Sequence, residues 1–96
     1  MVSKDDVLCP GKRVAYRVIS GQAVLVESAE DVIITLNETG TAIWENLDHR
    51  SAQEIADIIA SKFEVSAASA LKDTIDFLSM LKERGIVEVA ARPESE

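Results

Sequence analysis

Between residues 14 and 36 the chain holds three runs rich in Val, Ile and Leu, namely VAYRVI, QAVLVE and VIITL, separated by Ser20-Gly21 and by Ser28-Ala29-Glu30-Asp31. No other feature restricts the fold as strongly. Links of two and four residues cannot carry a chain over a sheet, so successive runs must lie as antiparallel neighbours. Side chains alternate along a strand, which puts Val14, Tyr16 and Val18 on one face of the first run. In the third run Val32, Ile34 and Leu36 share a face while Ile33 and Thr35 point the other way. The expectation is a three-stranded meander.

Three helices follow, each marked at its start. Asn37 is placed to cap a helix carrying Ala42, Ile43, Trp44 and Leu47 on its apolar side. Ser51 and Glu54 form a capping box ahead of the stripe Ile55, Ile58, Ile59 and Phe63. The third helix is expected from Ser66 to Gly85, because glycine takes a left-handed cap cheaply and Lys82 and Arg84 suit the negative end of the dipole. Ile86 to Val89 then reads as a short strand. The fold class is α+β: an N-terminal three-stranded antiparallel meander, then a three-helix bundle, winged-helix-like in its closing helix and strand.

Ninety-six residues suffice for one domain with a single modest core, and a hydrophobic share of 47% is enough for it to fold unaided. Residues 1–12, with Pro10-Gly11 and no sustained period, read as a flexible tail; 13–89 as the folded domain; 90–96 as a second flexible tail. No apolar stretch approaches the roughly 20 residues needed to cross a bilayer, and no signal-peptide core precedes the domain. A cytoplasmic location and no membrane partner are expected. Cys9 has no second cysteine to pair with, in keeping with a reducing compartment.

A net charge of -7 argues against nucleic acid, whose affinity for proteins comes from Lys and Arg at phosphates. The third helix, which reads the groove in DNA-binding winged helices, sets Asp73, Asp76 and Glu83 against Lys72, Lys82 and Arg84. A partner should be apolar, neutral or basic. At roughly 100° per residue the core face of this helix is Ala67, Leu71, Thr74, Ile75, Leu78 and Leu81. Phe77 falls on its shoulder beside Arg84, where it either lines a groove or completes the core, and Met80 falls opposite the centre.

Chemistry needs convergent groups, and this chain offers one histidine, His49, one cysteine, Cys9, and carboxylates spread over helix surfaces. His49 and Cys9 do not make a zinc pattern, and four isolated glycines make no phosphate loop. No cofactor or metal is expected. A binding module is favoured over an enzyme.

The segments LNETGTAIWENLD (36–48), SAQEIADIIASKFEV (51–65), DTIDFLSML (73–81) and ERGIV (83–87) together resemble the PqqD family, also called RiPP recognition elements. The likeness runs over about 14–89 and lies in the order and spacing of weak motifs. It implies a non-catalytic chaperone that binds the leader segment of a ribosomally made precursor peptide and presents it to a modifying enzyme, such as a radical SAM protein of pyrroloquinoline quinone synthesis. It implies that the leader adds as a strand beside the third strand. One wall of the groove would then be Val32, Ile33, Ile34, Thr35 and Leu36. The other would be drawn from Asp73, Asp76, Phe77, Met80, Leu81 and Arg84. Two departures, Asp48-His49 where many relatives have Asp-Gly and a VESAED link without Pro-Glu-Gly, leave open whether the pathway is quinone synthesis or another peptide product. An acidic winged-helix regulator or protein-interaction domain is the alternative.

Overall fold

A computed structural model describes residues 2–28, 31–47 and 50–90. Ser20 and Gly21 both take positive φ, 54° and 81°, the combination whose twist matches a tight hairpin. It joins β2 (Val14–Ile19) to β3 (Gln22–Glu27), with Ile19 opposite Gln22. β4 (Val32–Thr35) returns along β3, giving the sheet order β2-β3-β4. The expected α+β meander is therefore present. Its central strand supplies the inner face, with Ala23 and Leu25 fully buried. The outer strand β2 reaches past the helices. Tyr16 and Val18 remain 53% and 44% exposed although they share that face, and Tyr16 meets Trp44 edge to face at 5.7 Å.

α1 (Glu38–Glu45) begins where Asn37 accepts from the Gly40 N–H at 2.8 Å, and buried Thr41 accepts from the Ala23 N–H at 2.8 Å, tying the helix to β3. α2 (Ala52–Phe63) opens on the capping box, with the Glu54 N–H on Ser51 Oγ at 3.2 Å and the Ser51 N–H on Glu54 Oε1 at 2.8 Å. α3 (Ala67–Glu83) starts at Ser66, whose Oγ accepts from Ser69, and stops at Gly85 with φ +75°, where the Ile86 N–H returns to the Leu81 carbonyl at 2.9 Å. The core gathers Leu25, Ile43, Leu47, Ile55, Ile59, Leu78, Leu81 and Ile86.

The expected core face of α3 holds at Leu71, Thr74, Ile75, Leu78 and Leu81 and is wider than expected, extending round to Ala70, Phe77 and Met80. Ala70, Thr74, Leu78 and Leu81 are buried, Phe77 and Met80 are half-buried against the core, and Ala67 is exposed. The first turn of α3 projects beyond its neighbours, which removes Ala67 from the interface. Met80, unbranched and flexible, folds back onto the body although its Cα lies well round the helix.

Of the flexible tail expected over 1–12, the described residues 2–12 are instead tied to the domain. β1 (Leu8–Pro10) pairs antiparallel with β5 (Val87–Val89), extended by Gly11 N–H to Ile86 O and Ala90 N–H to Val7 O, both 2.7 Å. Upstream, the carbonyls of Asp6 and Lys4 accept from the Ala52 and Gln53 N–H groups at 3.0 and 2.9 Å, satisfying donors that a helix leaves open in its first turn. Val2 and Leu8 are buried at 2% and 1% exposure. A three-residue strand ending on proline carries no period to read, and its partner lies at the other end of the chain. Of the second expected tail, 91–96 lies outside the described residues, as do Asp48 and His49.

Candidate functional site: an open strand edge and its flanking cleft

Antiparallel pairing fixes which backbone groups of β4 are used. The Leu36 N–H donates to the Ala23 carbonyl at 2.8 Å, so by alternation Ile34 and Val32 also turn their backbone toward β3. Ile33 and Thr35 therefore present their N–H and C=O groups outward. Among the described residues no backbone bond from another segment reaches them. Ile33 is 69% exposed, and β4 holds neither proline nor charge, the usual devices that protect an edge.

At the C-terminal end of β4 lies a cleft of about 250 Å³. Asn37, Thr39, Gly40 and Ile43 form one wall, Asp73 and Phe77 the other. The Phe77 ring reaches in because residue 40 is glycine: a Cβ there would stand 3.2 Å from ring atoms Cε1 and Cζ. Asp73 is exposed on the rim. Its neighbour Lys72 is bonded instead to Asp76 at 2.8 Å. That hydrogen bond, and then the Asp76 charge, raise the Lys72 pKa above its ordinary 10.5, with Asp73 a smaller contributor and burial a small opposing one.

The expected groove residues thus separate. Ile33 and Thr35 form the open edge, while Val32 and Ile34 are half-buried with their backbones turned to β3. Asp73 and Phe77 line the cleft, and Met80 and Arg84 continue the same stripe of α3 at helical spacing. Asp76 is engaged with Lys72. Leu36 and Leu81 are core residues, 3% and 0% exposed, and do not line the cleft. Asn37, Thr39, Gly40 and Ile43 were not foreseen in the cleft, because as a cap and an apolar helix face they already had a structural reading. The signal available was a glycine three positions into a helix with an aromatic on a later one.

A larger cleft of about 470 Å³ lies on the far side, where Cys9, Pro10, Trp44 and Leu47 surround Tyr16 of β2. β2 is the other edge of the sheet. Among the described residues no group of three or more His, Cys, Asp or Glu is placed to hold a metal, and no helix is long and apolar enough to cross a membrane.

The profile of the family Coenzyme PQQ synthesis protein D (PqqD) matches residues 22–87. The chain belongs to the PqqD family. Three solved structures share its fold. TbiB1, in complex with the TbiA(beta) leader peptide, is 25% identical with a TM-score of 0.78, over 86% of this chain and 98% of that one. Lasso peptide synthetase B1, complexed with the leader peptide, is 23% identical with a TM-score of 0.78, over 85% and 98%. The PqqD truncation of Methylobacterium extorquens PqqCD, a functional and stand-alone RiPP recognition element, is 20% identical with a TM-score of 0.77, over 92% and 95%. Among curated proteins none matches in sequence.

Proposed function

We propose that this chain binds the leader segment of a ribosomally made precursor peptide as a strand added to β4, and presents the precursor to a modifying enzyme without catalysing the modification itself. The observation that carries this reading is the unpaired outward row at Ile33 and Thr35, set beside the Asp73–Phe77 cleft. Main-chain bonds to an edge give affinity for any extended peptide, and a flanking cleft that reads alternate side chains gives selectivity. Family membership and the leader peptides held by two proteins of the same fold support it. The modifying enzyme is a radical SAM protein or another maturase, in quinone cofactor or peptide natural product synthesis.

The test uses labelled peptides enriched on the full chain from a displayed random-peptide library. Thr35→Pro removes an outward N–H and sets a ring in the way of a guest strand, so affinity should fall at least about tenfold. Val18→Pro, on the opposite edge, should leave it unchanged. Equal effects of the two substitutions, with circular dichroism showing both proteins folded, would refute strand addition at β4.

A further inference from the structure

The cleft at the end of β4 carries a charge to which no described side chain is bonded. It is the carboxylate of Asp73, which stands exposed at the rim. Lys72, the adjacent cation in the chain, is held by Asp76. The facing wall is the start of α1, whose dipole contributes roughly half a positive charge. That end is already partly neutralised. Asn37 Oδ1 takes the Gly40 N–H, and the first turn carries Glu38. The full charge of the Asp73 carboxylate outweighs what remains of that half charge, so the cleft is acidic at its rim. Its floor is apolar, made by Gly40, Ile43 and the Phe77 ring.

An apolar floor under an acidic rim fits a side chain with an apolar stem and a cationic head. We propose that the bound leader places a lysine or arginine in this cleft, its stem over Gly40 and Phe77 and its head on the Asp73 carboxylate. This rests on the strand-addition reading and adds to it a rule for which leaders are accepted. The net charge of -7 acts in the same direction, drawing basic segments to the protein at low salt.

The experiment takes peptides enriched from a displayed random-peptide library on the full chain and replaces each basic residue in turn by glutamate. Each is titrated against the wild type, Asp73→Asn and Asp73→Lys. One Lys or Arg position should be enriched. Asp73→Asn should weaken those peptides about two- to fivefold. Asp73→Lys should bind the glutamate version better than the basic one. Peptides that lose affinity with Thr35→Pro but show no basic preference and no response at Asp73 would overturn the inference and leave strand addition standing. Peptides indifferent to Thr35→Pro would overturn both.

Discussion

Phe77 occupies the space that a side chain on Gly40 would need, its Cε1 and Cζ atoms 3.2 Å from the position of a Cβ there. The contact joins the start of α1 to the middle of α3 and sets the depth of the cleft beside β4.

Gly40→Ala should separate binding from stability. Alanine is favoured over glycine in a helix by about 1 kcal/mol, which offsets the cost of the few tenths of an ångström that the half-buried Phe77 ring and the capping Asn37 Oδ1, also 3.2 Å from a Cβ there, must yield. Urea denaturation should therefore move by less than about 1 kcal/mol. The displaced ring narrows the cleft, and peptide affinity should fall severalfold in a fluorescence titration.

Leu8→Ala measures how firmly the N-terminal segment belongs to the domain. A side chain 1% exposed and packed in the core loses about 2–4 kcal/mol on truncation to alanine. In a mobile tail the same change would be silent. Exposed Lys12→Ala, four residues on, should stay within about 0.5 kcal/mol in the same denaturation assay.

Thr74 is 0% exposed, and among the described residues its Oγ1 has no hydrogen-bond partner. A buried hydroxyl left unpaired is unfavourable, and valine has nearly the same shape. Thr74→Val should stabilise the protein by about 1 kcal/mol, read as a rise in Tm of roughly 4–8 °C.

The Lys72–Asp76 pair keeps a cation off the cleft rim. With the folded pKa of Lys72 raised, its contribution to stability is complete below 10.5 and fades as pH rises through the folded value. Asp76→Asn should bring the Lys72 ammonium titration, followed by NMR, back toward 10.5. Without the Asp76 charge the Lys72 ammonium stands unneutralised next to Asp73, so basic peptides should bind less well to this variant.

Local chemistry made most of the fold legible. Asn37, Ser51 with Glu54, Ser66 and Gly85 mark helix ends through side-chain or φ requirements that hold whatever surrounds them, and Ser20-Gly21 does the same for the hairpin. The β1–β5 pair was not legible, because Leu8–Pro10 is too short for a period and its order comes from Val87–Val89 and the carbonyl contacts to α2. Within the site, Phe77 on the shoulder of α3 was readable from helical spacing. Leu81 was readable too: the same spacing put it on the core face, against the groove role the resemblance implied, and it is wholly enclosed while Phe77 reaches the cleft. Gly40 and Ile43 acquire their part in the cleft only when α3 lies across α1.

Amide hydrogen exchange tests the central claim most directly, since the sheet has two edges and only one is assigned to the guest. With a library-selected peptide bound, the Ile33 and Thr35 amides, open in the free protein, should become protected while those of Tyr16 and Val18 on β2 do not change. Protection at Tyr16 and Val18, with Ile33 and Thr35 still exchanging freely, would contradict it.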